Sequence, residues 1–145
     1  MTVRPIQATD HAAWLRLWHG YVAFYESSVP PEQTALTWQR LLDPAFNLHG
    51  LVVEHDGAVI GFTHYLLHPA TWAKGDYCYL EDLFVSPAAR GTGAGRALIE
   101  AVKTAALAAG AAKVYWLTQT HNATARKLYD AVAADTGFMH YQIAL

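Results

Sequence analysis

The spacing of apolar side chains along the chain predicts four helices. In each of them apolar positions recur three or four residues apart, as on the buried face of an amphipathic helix. Asp10 and Asn122 precede the first and the last of these stretches and are the expected N-caps, while Gly110 terminates the third. The predicted helices are residues 10–26, 34–42, 93–109 and 122–134.

Apolar runs bounded by turn residues predict strands between these helices. Asp56 and Gly57 separate two of the runs and are a strong signal for a two-residue hairpin. The predicted strands are residues 2–6, 51–55, 58–67, 77–85, 114–119 and 138–143. The order βααβββαβαβ indicates an α/β fold with one mixed sheet and helices on its faces. The length of 145 residues suits a single domain over 1–145.

The composition narrows the classes of protein that fit. Hydrophobic residues make up 53% of the chain, which is enough for a packed core. The net charge of −2 and the lack of a Lys or Arg block argue against a nucleic-acid binder. Cys78 is the single cysteine, so a disulfide framework and a zinc quartet are excluded and a reducing, cytoplasmic setting is expected. We also expect no signal peptide and no membrane span.

A glycine-rich segment follows the 77–85 strand and opens the next helix. Its residues are Arg90, Gly91, Thr92, Gly93, Ala94, Gly95 and Arg96. A turn of this kind presents free backbone N–H groups to an anion, and the two arginines add positive charge. Arg96 stands where a Walker loop needs Lys and where a dinucleotide fingerprint needs its third Gly. The bland alternative is a tight structural turn with a solvated arginine.

Two adjacent carboxylates, Glu81 and Asp82, interrupt the apolar 77–85 strand. Strand alternation sends them to opposite faces of the sheet unless a bulge intervenes. One of them is therefore expected to face a cleft, where it could draw a proton from an ammonium substrate through water. The alternative is a pair of solvated or ion-paired residues.

The last predicted helix carries a stripe of apolar and polar residues that includes Asn122, Ala125 and Tyr129. Tyr129 is either a core aromatic, which the helical spacing favours, or a general acid. A phenol of pKa about 10 can protonate a leaving group of lower pKa, for example a thiolate with the pKa of cysteine, about 8.5.

The remaining candidates are aromatic, histidine and cysteine side chains. Tyr25, Glu26 and Trp116 are candidates for an acceptor pocket, since an aromatic wall with a carboxylate suits an aliphatic cation. His64 and His68 lie four residues apart, but on a strand that spacing spans roughly 13 Å. We therefore predict no metal site, and we expect Cys78 to be a buried strand residue.

Taken together, these motifs resemble the GNAT acetyltransferase superfamily along nearly the whole chain. The family's acetyl-CoA loop has Arg or Gln, two residues, Gly, one residue, and Gly or Ala, which Arg90, Gly93 and Gly95 satisfy. Residues 79–85 resemble the corresponding strand of the diamine branch, the spermidine/spermine acetyltransferases. Further matches to that branch are Tyr25-Glu26 and Gly61-Phe62. The chain departs from it over residues 130–145, where the late carboxylates of the branch have no match.

The resemblance implies acetyl-CoA as co-substrate and a role for each motif. It implies that Glu81 is the base or amine-binding carboxylate and that Tyr129 meets the CoA sulfur. Asp82 joins Tyr25, Glu26 and Trp116 as an acceptor-binding candidate. The implied acetyl-CoA contacts are residues 90–96, the strand residues Leu83, Phe84 and Val85, and the helix residues Asn122 and Ala125.

These assignments predict an N-acetyltransferase that acts by direct attack of an amine on the thioester. The expected acceptor is a diamine, a polyamine or a lysine-like amino acid. A protein or peptide amine is the alternative within the enzyme class, and a non-catalytic CoA-binding or interaction module is the alternative outside it. GNAT domains of this size are often homodimers, so a homodimer is expected.

Overall fold

The computed structural model describes all 145 residues, and they form two compact units, Met1–Tyr115 and Trp116–Leu145. The first unit contains the strands β1 (Thr2–Pro5), β2 (His49–His55), β3 (Ala58–His68), β4 (Tyr77–Val85) and β5 (Lys113–Tyr115), and the helices α1 (His11–Phe24), α2 (Pro31–Leu42) and α3 (Ala94–Ala108). The second contains α4 (Ala123–Val132), and residues 133–145 form no helix or strand.

The five strands form one sheet in the order β1-β2-β3-β4-β5. The first four pair antiparallel, and β5 pairs parallel to β4. The predicted fold class, an α/β chain with one mixed, mostly antiparallel sheet and four helices, is therefore confirmed. A parallel partner for β4 requires a crossover, and α3 supplies it.

Both faces of the sheet are covered. Three consecutive residues of β2, Leu51, Val52 and Val53, are buried, and successive strand residues point to opposite faces. One face packs under α1 and α2 in a cluster rich in aromatic rings, and α3 buries its apolar side against the strands β2, β3 and β4. The cluster consists of Trp14, Leu17, Trp18, Leu41, Val52, Phe62 and Phe84.

Several local predictions are confirmed. Asp56 (φ 50°) and Gly57 (φ 77°) both adopt the left-handed conformation that a type I′ hairpin turn needs. Asn122 caps α4 by accepting a hydrogen bond from the Ala125 N–H at 3.3 Å. Cys78 is fully buried in β4, and burial raises the pKa of its thiol to about 11.

One predicted strand is shorter than expected, and another is absent. The strand predicted over 114–119 starts one residue earlier and ends sooner, because only Lys113–Tyr115 pairs with β4. The predicted strand 138–143 does not form. Its side chains alternate in polarity, but alternation specifies a face and does not supply the neighbouring strand that a β-strand requires.

Two helix starts also differ from the prediction. Helix α2 begins at Pro31 and not at Thr34, since proline is well suited to the first helical position. Asp10 precedes α1, but its side chain does not cap that helix. Instead its carboxylate accepts two hydrogen bonds from Arg4, at 2.7 and 2.8 Å, and one from the Gln7 N–H.

We expect Asp10→Asn to lower the free energy of unfolding by about 2 kcal/mol at neutral pH, because a buried bidentate carboxylate would be lost. The Arg4 hydrogen bonds lower the pKa of Asp10, so its contribution is lost as the pH falls through that lowered value. Urea unfolding should therefore separate parent and variant at pH 7 and bring them together in strong acid. Asp56→Asn in the exposed hairpin turn is the control, and an equal loss there would contradict the prediction.

Candidate active site

A β-bulge lies in the middle of β4. His64 of β3 pairs with Asp82, while the next residue of β3, Tyr65, pairs with Leu80, so Glu81 has no partner. The Thr63 hydroxyl donates to the backbone oxygen of Asp82 at 2.7 Å and fixes the chain beside the bulge. The bulge that could interrupt strand alternation is therefore present, and Glu81 lies outside the regular pairing of β3 with β4.

The two carboxylates at the bulge lie in different environments. The Glu81 side chain is exposed, whereas Asp82 is only 15% exposed. The protein atoms around the bulge partly desolvate the Glu81 carboxylate and raise its pKa, and the Asp82 charge raises that pKa further. Only a protonated His64 would oppose the shift. A reachable carboxylate with a raised pKa suits a general base.

Both carboxylate oxygens of Asp82 accept hydrogen bonds from within the protein. Tyr21 donates its hydroxyl to Oδ1 at 2.8 Å, and His64 Nδ1 lies 2.9 Å from Oδ2. The Trp14 indole N–H donates to the other ring nitrogen of His64 at 3.0 Å. The expected contact between Asp82 and an acceptor remains a prediction, and in this structure the carboxylate is turned to the interior.

The end of α1 carries the first predicted acceptor residues. Tyr25 is half-buried, and its ring packs edge-on against Tyr21 at 5.1 Å. Desolvation and then the Asp82 charge raise the pKa of Tyr25. Glu26 is exposed in the left-handed conformation (φ 52°), a position after a helix that usually favours glycine. The structure thus brings Tyr25 into the group around Asp82 and leaves Glu26 in solvent.

The edge of β4 that faces β5 is open beyond Tyr79 in the sense that no strand pairs with it there. The Ser86 N–H donates toward β3, to the Ile60 oxygen at 2.8 Å. Backbone groups of successive strand residues alternate in direction, so those of Leu83 and Val85 point to the open edge. Phe84, between them, has its side chain buried in the core. An extended amide-containing group can pair along such an edge.

The glycine-rich segment forms the turn into α3. Gly91 (φ 82°) and Gly93 (φ 87°) adopt the left-handed conformation, and no other atom lies within 4 Å of where a Cβ would stand. Backbone conformation therefore requires these glycines, and the surrounding space is open. The Thr92 hydroxyl donates to the Ala89 oxygen at 2.6 Å.

The start of α3 is a site for an anion. The first helical hydrogen bond runs from the Ala97 N–H to Gly93, so the N–H groups of Ala94, Gly95 and Arg96 have no acceptor within the helix. Arg90 and Arg96 are both exposed, and the Arg90 guanidinium lies over the Phe24 and Phe84 rings. These features suit a phosphate-bearing anion.

A cavity of about 500 Å³ adjoins this turn, and the sequence did not point to it. Two arginines, Arg16 and Arg90, and no Asp or Glu are among its lining residues. Its lining comes from α1, the end of β4 and the residues that follow: Arg16, Leu17, Gly20, Ala23, Phe24, Phe84, Ser86, Pro87 and Arg90. A glycine at helical spacing from Arg16 and Phe24 was the signal in the sequence for a recess on this face of α1.

The second unit holds the other candidates. The rings of Trp116 and Tyr129 meet edge-on, with their centres 5.4 Å apart. Asn122, Ala125 and Tyr129 are each half-buried, as the predicted stripe requires. The Thr118 hydroxyl is buried and has no hydrogen-bond partner, which leaves a polar atom for a ligand to satisfy.

The structure adds one observation on metals and one on membranes. No group of three or more His, Cys, Asp or Glu side chains is arranged to hold a metal ion. His68 interacts with the Tyr115 hydroxyl at 2.7 Å and with the Pro69 oxygen at 2.8 Å. None of the helices combines the length and the apolar character needed to span a bilayer.

Comparison with known proteins identifies the family. The sequence model of the acetyltransferase (GNAT) family matches residues 14–133. The D-amino-acid N-acetyltransferase HPA3 of Saccharomyces cerevisiae is 38% identical over 98% of this chain and 89% of its own length. The thialysine N-epsilon-acetyltransferase of Bos taurus is 37% identical over 52% of this chain and 44% of its own length.

A solved structure agrees on the fold. AAC(6')-Iy, in complex with the bisubstrate analog CoA-S-monomethyl-acetylneamine, superposes with a TM-score of 0.85 at 20% identity, over 99% of this chain and 97% of that one. The chain belongs to the GNAT family and is an acetyl-CoA-dependent N-acetyltransferase.

Proposed function

We propose that this enzyme acetylates the primary amine of a small molecule, with Glu81 as the base. The observation that carries the proposal is the bulge in β4, which leaves an exposed carboxylate of raised pKa beside an open strand edge. An aliphatic amine has a pKa of about 10.4, so it arrives protonated and must lose a proton before it can attack. The bulge carboxylate is a suitable acceptor for that proton.

Acetyl-CoA supplies the activated acetyl thioester for this reaction. Residues 90–96 are proposed to hold its phosphates, because the turn offers free N–H groups and two arginines. The backbone of Leu83 and Val85, flanking Phe84, is proposed to pair with the amide groups of its pantetheine arm. Asn122 and Ala125 are proposed to contact the same arm from α4.

The proposed steps conserve atoms and protons. Glu81 takes one proton from the ammonium group, and the neutral nitrogen then attacks the acetyl carbonyl. As the C–S bond breaks, Tyr129 gives its hydroxyl proton to the departing sulfur. The acylated nitrogen then carries one surplus proton, which restores the proton that Tyr129 lost. The proton on Glu81 passes to solvent.

The acceptor is proposed to be an amino acid or a diamine. Two similar proteins are named for amino-acid acceptors, D-amino acids in one and thialysine in the other. A lysine-like amino acid is compatible with the acceptors in both names and with the resemblance of residues 79–85 to the diamine branch. Tyr25, Glu26 and Trp116 are proposed to line its site, where aromatic faces and a carboxylate suit a cationic chain.

An acceptor panel tests the proposal. CoA release would be followed with D- and L-lysine, a diamine, spermidine, an aminoglycoside and a lysine-containing peptide, each at the same concentration. We expect the highest kcat/KM with an amino acid or a diamine. A preference for the peptide would instead support a protein acceptor, and binding of acetyl-CoA without turnover on any amine would support a non-catalytic module.

We propose further that both units belong to one acetyltransferase domain, since the family match runs through both. We also propose that the enzyme is a homodimer. The C-terminal tail, residues 133–145, supports a dimer because its large apolar side chains are almost fully exposed. They are Phe138, Met139, Tyr141, Ile143 and Leu145. Light scattering should give twice the chain mass for the parent and the single mass after deletion of 137–145. A monomeric parent would contradict the proposal.

A further inference from the structure

A chain of hydrogen bonds runs through the interior behind the β4 bulge. It links Trp14 to His64 at 3.0 Å, His64 to Asp82 at 2.9 Å, and Tyr21 to Asp82 at 2.8 Å. Trp14 and His64 are essentially fully buried, and α1, β3 and β4 each contribute to the chain. Polar groups placed this deeply destabilise a fold unless all of them are satisfied, and here all of them are.

The donors in this hydrogen-bond chain determine which ring nitrogen of His64 carries the hydrogen. An indole N–H can only donate, so the His64 Nε2 that accepts from Trp14 carries no hydrogen. The imidazole hydrogen must then lie on Nδ1, where it is donated to Asp82. Tyr21 donates to the second oxygen. Asp82 thus accepts one hydrogen bond on each carboxylate oxygen, from an imidazole and from a phenol.

Asp82 is next to Glu81 in the sequence, so it links the hydrogen-bond chain to the proposed base. His64 and Asp82 form the last regular pair before the bulge, and Glu81 is the unpaired residue next to it. Three side chains fasten Asp82: His64 and Tyr21 through its carboxylate, and Thr63 through its backbone oxygen. A shift of Asp82 would therefore move Glu81.

We propose that Trp14, His64 and Tyr21 are positioning residues that hold Asp82 as a fixed, inward-facing negative charge behind Glu81, so that Glu81 alone receives the proton of the amine. This inference rests on the proposed role of Glu81 as base. In this proposal Asp82 does not contact the acceptor, which replaces the sequence-based expectation that it does. Its charge strengthens the neighbouring base, because a like charge close by favours the protonated form of Glu81.

The groups that face Glu81 within the first unit act in known directions. Desolvation and then the Asp82 charge raise the pKa of Glu81, and only a protonated His64 would lower it. Tyr79 on the same strand and Tyr21 on α1 are also within its electrostatic reach, since the Glu81 charge raises the pKa of each phenol. Asp82 is the only carboxylate among these neighbours, so removal of its charge is expected to lower the pKa of Glu81.

The first experiment removes the Asp82 charge while keeping the side chain's size. In Asp82→Asn the acid limb of kcat/KM is expected to move to lower pH and kcat to fall roughly tenfold or more, because the bulge loses its anchor. The KM for the amine should stay within about twofold of the parent value, since no acceptor contact is lost. Asp76→Asn, which removes an exposed charge just before β4, is the matched control and should leave the profile unchanged.

A second pair of variants separates positioning from simple stability. His64→Asn can still donate to Asp82 from its amide nitrogen, whereas His64→Leu cannot. With rates expressed per folded molecule, the Asn variant should keep the acid limb of the parent and most of its kcat, and the Leu variant should lose at least tenfold in kcat. Equal behaviour of the two variants would overturn the proposal and indicate a structural role only.

Glu81→Gln distinguishes failure of this inference from failure of the proposed function. If Glu81→Gln abolishes the acid limb while Asp82→Asn leaves it in place, Glu81 is the base and the positioning role is wrong. If Glu81→Gln retains the limb, the base assignment fails, and this inference fails with it. A raised KM for the amine in Asp82→Asn, with the limb unmoved, would assign Asp82 to acceptor binding and overturn the proposal.

Discussion

Tyr129→Phe is expected to lower kcat roughly 10²-fold or more, which is the scale of general acid catalysis. The variant keeps the aromatic ring that packs edge-on against Trp116, so the local structure of α4 should survive. It loses the hydroxyl that we propose protonates the CoA thiolate. The KM for acetyl-CoA should change little, because a proton transferred only as the C–S bond breaks contributes to the transition state and not to binding.

Steady-state release of the CoA thiol at saturating acetyl-CoA and amine measures this effect. Tyr141→Phe is the matched control, since it removes the same hydroxyl from an exposed position in the C-terminal tail. Full activity of Tyr129→Phe would show that another group protonates the sulfur. A large rise in KM with kcat unchanged would instead place Tyr129 in the binding of acetyl-CoA.

Glu81→Gln is expected to lower kcat/KM for the amine roughly 10²- to 10³-fold near neutral pH, because the amide cannot accept a proton. Glutamine has nearly the size of glutamate, so the bulge in β4 should persist. The residual rate should climb with pH, since the free amine becomes available without help as the pH approaches about 10.4. The parent should show a weaker dependence in that range.

Initial rates at several pH values, with the amine varied at each, give this result. Glu100→Gln on α3 provides the control, because it removes a carboxylate that is exposed and paired only with Lys103. A variant that remains as active as the parent at neutral pH would remove Glu81 from the mechanism. The rates would then have to come from a different base or from the small fraction of free amine.

Local sequence signals predicted most of the fold. The Asp56-Gly57 turn, the bounds of β4 and the cap at Asn122 depend on residues within a few positions of one another, and the structure has all three. Features that depend on distant partners could not be predicted in this way. The length of β5 depends on how far it pairs with β4, a distant segment of the sequence, and no local pattern encodes the extent of that pairing.

The same distinction between local signals and distant partners applies to the candidate site. The glycine turn and the two β4 carboxylates are contiguous in the sequence, so they could be singled out. The contact of His64 with Asp82 joins residues 18 positions apart and depends on a bulge in the pairing of β3 with β4. Asp10 shows the opposite error: it has the residue type and position of a helix cap, yet Arg4 binds it instead.

The pH dependence of kcat/KM, measured in parallel on the parent and on Glu81→Gln with one accepted amine, tests the role of the bulge carboxylate most directly. For the parent we expect the rate to fall in acid with an apparent pKa above the ordinary glutamate value of about 4.3, because desolvation and the Asp82 charge both raise it. That limb should be absent from the variant. An identical acid limb in the two proteins would contradict the assignment of Glu81 as the base.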